Sequence, residues 1–420
     1  MEETIFIQIA AYRDTELIPT IKDCIARAVK PERLHFCIGW QHSPEENIDE
    51  LAGIPNIIIV DVPHTETKGA CWIRRKIQEQ YKNETYTLQL DSHHRFMQNW
   101  DEVVIEMYKG LVKDGHKKPL LTSYLPSYEP ANDPQARVNE SWQINYDRFM
   151  PEGPIFLRPS VIKNRDTINK PVPSRALSAH FIFTVGEFCN EVPYDAELYF
   201  HGEEISLAVR AYTHGYDLFH PHIPIVWHQY TRAGQKKHWD DHKDWGTLNN
   251  ISYNRVKILL GVDGVESNQI DFGKAGLGTE RTLEQFERFA GVEFKSRKFH
   301  KDVLAEVLPP IKYVDEETYQ KELTCQFKHC IDIYRPDLTE NDYDFWCVVF
   351  KDKDNNDMHR KDADAQEIDG IMKSNPDDKF VHIWREFNTD VKPYKWVVWP
   401  HSKSKDWNTK IFETVITYST

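Results

Sequence analysis

The chain has no CxxC pair, no basic run, no internal repeat and no apolar stretch approaching the ~18 residues that a membrane-spanning helix needs. Without paired spacing, and with an odd count of seven, the cysteines do not read as a disulfide framework. Cys24, Cys37, Cys71, Cys189, Cys325, Cys330 and Cys347 read instead as reduced thiols in a cytoplasmic setting, with Cys325 and Cys330 the nearest pair. The absence of basic runs, together with a net charge of −14, argues against a nucleic-acid surface. An anionic substrate would therefore need a metal ion or locally placed arginines. The start, Met-Glu-Glu before an apolar strand, lacks the basic and apolar regions of a signal peptide, so none is expected. What is present is globular in character: 420 residues, 40% apolar, 12% aromatic, with 12 tryptophans, enough for two or three domains.

Strand and helix alternate at short intervals through the first half. Residues 4–10, 34–40 and 56–61 read as strands, and 15–29 as a helix with Pro19 in its first turn and Leu17, Ile21, Cys24, Ile25 and Ala28 on one face. A second helix follows Gly69, with Ile73, Ile77 and Tyr81 spaced by four. A third carries Trp100, Val103, Val104, Met107, Tyr108 and Leu111. Such alternation predicts a mostly parallel α/β sheet with crossover helices. Residues 124–175 are proline-rich and without periodicity, as a lid or binding loop would be. A strand at 179–186, a helix at 203–213 stopped by Gly215, and a strand ending Val226-Trp227-His228 complete the layer. Composition changes at 307–313. Beyond it FWCVVF, FVHIW and KWVVW predict a β-rich second domain, and the charged run 351–364 a solvated loop. The expected division is 1–305 and 306–420.

Chemistry concentrates at four places. The strand in TLQLDSHHRF (87–96) stops at Asp91-Ser92-His93, putting a carboxylate and an imidazole on one side of the chain at a strand's carboxyl end, where α/β sheets bind ligands. That pair suits Mn²⁺ or a similar ion, which can hold a diphosphate. The first strand runs out through Ala10-Ala11-Tyr12-Arg13-Asp14, small residues where a nucleotide could approach the backbone. Gly69 opens a helix carrying Arg74 and Arg75 one turn in, and His201-Gly202-Glu203-Glu204 opens another. Each has a plainer reading: a surface turn, a simple helix entry, a solvated helix face, first-turn acids. His220 and His222 form an HxH pair read as exposed rather than ligating.

Taken together, IAAYRD (9–14), KGACWIRR (68–75), LDSHHRF (90–96), LSAHFIF (177–183), VPYD (192–195), YFHGEEISLAVRAYTHGYDLF (199–219), VWH (226–228) and GLGTERTLEQFERFAGVEF (276–294) resemble the GT-A glycosyltransferases that add N-acetylglucosamine to polypeptides, a family with a cytoplasmic hydroxyproline-directed branch. The chain is more distantly similar to the polypeptide N-acetylgalactosaminyltransferases. The likeness spans roughly 4–298. It implies a Rossmann-like GT-A catalytic domain and a UDP-sugar donor, UDP-GlcNAc first. It also implies a divalent ion, Mn²⁺ or else Mg²⁺, held by Asp91, His93 and His228, although His228 also reads as a core histidine. Arg74 would serve the diphosphate, with Glu203 and Glu204 positioning the sugar or the acceptor. Ala10, Ala11, Tyr12, Arg13, Gly69, Arg75, Asp91, Ala179, His180 and Trp227 would line the donor site. His180 departs from the glycine common at its place in the family. The expected reaction is retaining transfer to a hydroxyl on a protein or a glycan. A nucleotide-sugar hydrolase or phosphodiesterase and a non-catalytic nucleotide-sugar adaptor are the alternatives. The C-terminal domain would select the acceptor, hold a second copy of the chain, or cover an apolar patch.

Overall fold

The computed structural model describes residues 3–163, 167–232 and 234–417. The chain divides into two compact units, one comprising 1–297 and 302–312, the other 298–301 and 313–420. The first is built on an eight-stranded mixed sheet. Its leading elements are β1 (Ile5–Tyr12), α1 (Leu17–Arg27), β2 (Leu34–His42), β3 (Ile57–Pro63), α2 (Ala70–Gln78) and β4 (Tyr86–Asp91). Then come the short β5 (His94–Phe96), α3 (Trp100–Lys113), β6 (Pro119–Thr122), β7 (Trp142–Phe149), β8 (Ile155–Val161), β9 (Val172–Pro173) and β10 (Phe181–Val185). The last elements around the site are α4 (Phe188–Glu191), α5 (Glu203–Thr213), β11 (Asp217–His220) and β12 (Val226–His228). Sheet order is β3-β2-β1-β4-β10-β6-β11-β9, parallel through β3, β2, β1 and β4, with β10 antiparallel to both neighbours. This is the mixed α/β class that the strand–helix alternation predicts.

The topology places the site. From β1 the chain winds outward through β2 and β3, then returns to lay β4 on the other flank of β1, so connections leave β1 and β4 in opposite directions. A crevice opens where the order reverses, at the strands' carboxyl ends. There the register sets Ala10 of β1 directly beside Asp91 of β4. Burial of both sheet faces leaves the polar residues Gln8 of β1 and Thr87 and Gln89 of β4 out of water, and Gln8 Nε2 donates to Thr87 Oγ1 at 2.7 Å. Ile5, Ile7, Ile9, Leu34, Phe36, Ile38, Leu88 and Leu90 share a core with Leu17, Ile21 and Cys24 of α1 and Trp100, Val104 and Leu111 of α3. On the opposite face Phe6 and Cys37 meet Ile73 and Ile77 of α2.

The segment 124–175 is not the wholly irregular stretch its prolines predict. β7 and β8 form an antiparallel hairpin inside it, turning through Met150–Pro154, with Pro159 opposite Ile144. Proline is tolerated because β8 pairs with β7 alone among the described strands. In the second unit the three aromatic runs are strands within Tyr343–Lys351, Phe380–Thr389 and Lys395–Ser402. Their inward residues, Trp346, Val348, Phe350, Val381, Ile383, Trp396 and Val398, make a second core with Ile331, Ile333 and Ile368. The charged run contributes a tight turn and the strand Asp357–Arg360, and most of it is exposed.

Close approach of α2 to β2 depends on Gly39. A Cβ there would lie 2.4 Å from Ile73 Cγ1 and 2.9 Å from Ile77 Cδ1. Gly39→Ala should therefore overpack the face that seats α2 and cost about 1–3 kcal/mol, measured by urea denaturation. Unchanged stability would mean α2 is not tightly seated.

Candidate functional site

Three elements converge at the crevice. β4 delivers Asp91, and the turn after it delivers His93. β5 then pairs antiparallel with β12, matching His94 to His228 and Phe96 to Val226, and this ribbon carries His228 across 135 residues of sequence to His93. The backbone seats it further: His228 N–H donates to Pro126 O at 3.0 Å, and Gln229 N–H to His93 O at 3.1 Å. The two imidazole Nε2 atoms stand 3.1 Å apart, and Asp91 Oδ2 lies 3.5 Å from His228 Nε2 and 4.0 Å from His93 Nε2.

The donor set fits a divalent ion. Cis ligands of an octahedron with bonds near 2.1 Å stand about 3 Å apart, so these three atoms would occupy one face with small adjustment. His93 Nδ1 lies 2.7 Å from Asp14 Oδ2, which places the ring proton there and leaves the Nε2 lone pair facing the other two ligands. Burial holds the His228 ring down at about 4, so it is neutral and able to ligate at physiological pH. Asp14 also accepts from Ser92 Oγ at 2.6 Å and faces Arg232 at 3.0 Å.

Arg74 reaches the cluster from the middle of α2. Its Nη2 donates to Asp91 Oδ1 at 2.7 Å, and its Nη1 to both oxygens of Glu203 at 2.9 and 3.0 Å. Glu203 takes a further hydrogen bond from the Cys71 thiol. The guanidinium thus sits between two carboxylates, its Nη1 and Nη2 engaged by them and its Nε without a partner among the described residues. Gly202 makes this placement of Glu203 accessible: its φ of +92° turns the chain into α5, where a side chain would strike Val256. Glu204, the next residue, accepts from Ala179 N–H at 3.0 Å and Tyr124 O–H at 2.7 Å. Burial, then the neighbouring Glu203 charge, push its carboxyl up to about 7.

Two cavities, of about 410 and 280 Å³, share Arg74, Asp91, Phe200, His228 and Tyr230. The smaller is lined by Ala10, Tyr12, Gly69 and His93, with the cations Arg232, Lys236 and Lys237. The larger takes Ala179, His180, His201, Glu203 and Glu204 on one side and the hairpin residues Met150, Ile155, Phe156 and Leu157 on the other. His180 accepts from Leu125 N–H at 3.1 Å, and its ring stacks on His228 with centroids 4.4 Å apart. Its imidazole thus stands on the metal-facing wall where a glycine would leave space.

Four donor-site expectations point elsewhere. Ala11 alternates with Ala10 and Tyr12 and lies in the core. Arg13 pairs with Asp241 at 2.9 Å. Arg75, one step round the helix from Arg74, pairs with Glu79 at 3.0 Å. Trp227 alternates with His228, donates to Val138 O at 2.9 Å and lies under Arg137. His220, expected to be exposed, is buried, its ring nitrogens engaged by Thr122 O and Ile144 N–H. Asp14, Tyr124, Tyr230 and Arg232 went unassigned in the sequence because the partners that hold them at the site are 78 or more residues away; Asp14 alone stood within a noted motif, at a strand end.

The model of the family described as Glycosyltransferase (GlcNAc) matches residues 4–54 and 49–296. No curated protein matches the chain. Among solved structures, GalNAc-T7 with UDP, GalNAc and Mn²⁺ is similar at 14% identity and a TM-score of 0.44, covering 68% of this chain and 53% of its own; the chain thus spans about half that protein's length. S. aureus TarS is similar at 10% identity and a TM-score of 0.37, covering 98% of this chain and 77% of its own. No helix among the described residues is long and apolar enough to cross a membrane.

Two outcomes test the site's physics. Asp14→Asn should weaken Mn²⁺ binding about 10–100-fold in titration calorimetry with the far-UV spectrum unchanged. For Glu204 the folded value lies above the ordinary 4.5, so its contribution to stability is full below that value and is lost as pH rises through about 7. Glu204→Gln should accordingly raise the melting temperature relative to the parent more at pH 8 than at pH 5. An equal difference at both would show that the carboxyl is not strained by burial.

Proposed function

The chain belongs to the Glycosyltransferase (GlcNAc) family, and from that premise we propose that it is a metal-dependent, retaining enzyme moving GlcNAc from UDP-GlcNAc to a hydroxyl of a polypeptide. The observation that carries this reading is the meeting of two cavities at Asp91, Arg74 and His228, with His93 on the smaller side. Transfer needs donor and acceptor on either side of one breaking bond, and such a junction supplies both.

The smaller cavity suits the nucleotide: Ala10 and Gly69 let a flat group approach the backbone, Tyr12 offers a ring, and Lys236 and Lys237 offset phosphate charge in a chain that is otherwise acidic. A divalent ion on Asp91, His93 and His228 would supply Lewis-acid stabilisation of the departing diphosphate. Arg74 holds Asp91 Oδ1 and so leaves Oδ2 turned to the two imidazoles. In this reading it orients the ligand carboxylate, while Lys236 and Lys237 of the smaller cavity meet the phosphates. Glu203 positions Arg74. Glu204, Ala179 and His180 face the sugar, and the hairpin turn faces the acceptor. The cysteines, all free thiols, support a reducing, cytoplasmic setting.

Purified full-length protein incubated with labelled UDP-GlcNAc, UDP-GalNAc or UDP-Glc, Mn²⁺ and hydroxyl-bearing peptides decides the matter. Labelled peptide with UDP-GlcNAc preferred is the expected result. Free sugar alone would make the enzyme a hydrolase, and retained unreacted donor an adaptor. Asp91→Ala should lower kcat roughly 10³-fold or more. Activity at the parent level would remove the metal from the reaction.

A further inference from the structure

The second unit carries a second cluster of metal-ligating side chains, chemically unlike the first. Strands Leu323–Tyr334 and Phe380–Thr389 pair antiparallel, and the register sets Asp332 opposite His382 and Cys330 opposite Trp384. Alternation then divides the faces. Ile331, Ile333, Val381 and Ile383 turn into the core. Cys330, Asp332 and His382 turn outward together, at positions one diagonal step apart. The separations are 3.3 Å from Cys330 Sγ to Asp332 Oδ1, 3.8 Å from Sγ to His382 Nδ1, and 2.8 Å from Nδ1 to Asp332 Oδ1.

We infer that Cys330, Asp332 and His382 form a zinc site on the outer face of this strand pair. Zinc bonds of about 2.3 Å to sulfur and 2.0–2.2 Å to nitrogen and oxygen put tetrahedral ligands roughly 3.4–3.6 Å apart. Two of the three separations lie within a few tenths of an ångström of that range. The third is a hydrogen bond that must lengthen as the ion replaces the shared proton. The ligands are graded in softness. A thiolate selects zinc over the harder Mn²⁺ and Mg²⁺, whereas the Asp91 cluster contains no sulfur. The orienting group is present as well: His382 Nε2 lies 3.2 Å from Asp378 Oδ2, a carboxylate–imidazole pair that would fix the ring with Nδ1 toward the ion.

Binding releases the Cys330 thiol proton, and His382 ligates as the neutral imidazole with its ring proton on Nε2 toward Asp378, with no change of oxidation state. The fourth tetrahedral position faces outward, where Asp332 is exposed and His382 half-buried. Water or a ligand atom from another molecule would complete the shell. Because Cys330 and Asp332 belong to one strand and His382 to the other, the ion would clip the pair together across its register.

Titrating the full-length protein with Co²⁺, while saturating Mn²⁺ occupies the first cluster, reads the site directly. The expected result is one cobalt bound with a thiolate-to-cobalt charge-transfer band that Zn²⁺ displaces. Cys330→Ser should abolish the band with the circular dichroism spectrum and sugar-transfer rate unchanged. Asp378→Asn should keep the band and weaken binding about 10–100-fold. His382→Gln, as a second variant, should weaken binding at least as much as Asp378→Asn. Absence of the band in the parent, or its persistence in Cys330→Ser, would overturn the inference and leave Asp332, His382 and Asp378 as an ordinary surface ion-pair chain.

Discussion

The guanidinium of Arg74 is the constraint on which the first unit of the molecule depends. It lies almost wholly out of water between Asp91 and Glu203, joining the ends of β4 and α5 through the middle of α2. A buried charge without a partner is expensive, so none of the three groups is tolerable there alone. The arrangement is therefore all-or-nothing: α2 must pack on β2, α5 must start at Gly202, and β4 must end at Asp91 for the charges to be satisfied. The same ion pairs that secure the fold also aim Asp91 Oδ2 at the imidazoles. Stability and site geometry are in this sense one interaction.

Around it, the polar groups are neutralised in steps. Asp14 takes the proton-bearing side of His93, and Ser92 and Arg232 occupy the rest of Asp14's reach. Glu204 is the member least relieved: two hydrogen bonds from Ala179 and Tyr124 oppose, without cancelling, the effects of burial and of Glu203. This carboxyl stands on the wall of the larger cavity, the side that faces the sugar in the proposed reading.

Much of this was legible in the chain itself, for reasons that can be named. The strands ending at Tyr12 and Asp91 and the helix beginning at Glu203 declare themselves by apolar period and by local stop signals, and those signals act within a few residues. Three ligands could be proposed because the residues around them occur in a recognisable order. What was not legible is pairwise and distant. Nothing near Asp14 announces that it faces His93, and nothing in the sequence shows that Arg74 spends its hydrogen bonds on two acids. The hairpin Trp142–Val161 escaped notice because prolines at 151, 154 and 159 break the strand pattern, although two of them sit at the turn and the third on a strand paired along one side only. His220 read as exposed beside two prolines, yet both its nitrogens found backbone partners that only the tertiary structure supplies.

That hairpin has a bearing on how such a molecule can change over time. Beyond the residues they share, the two cavities draw on different stretches of chain: strand ends, helix starts and the segment near Lys236 for one, the start of α5, the 179–180 segment and the hairpin turn with its flanks for the other. None of residues 150–157 belongs to the ligand cluster or to the Arg74 bridge, although Met150, Ile155, Phe156 and Leu157 line the same cavity. In the proposed reading, mutations there would reshape what docks opposite the nucleotide while leaving the ligand cluster unchanged. Divergence in target preference among descendants of this scaffold would accordingly be written first in those eight positions.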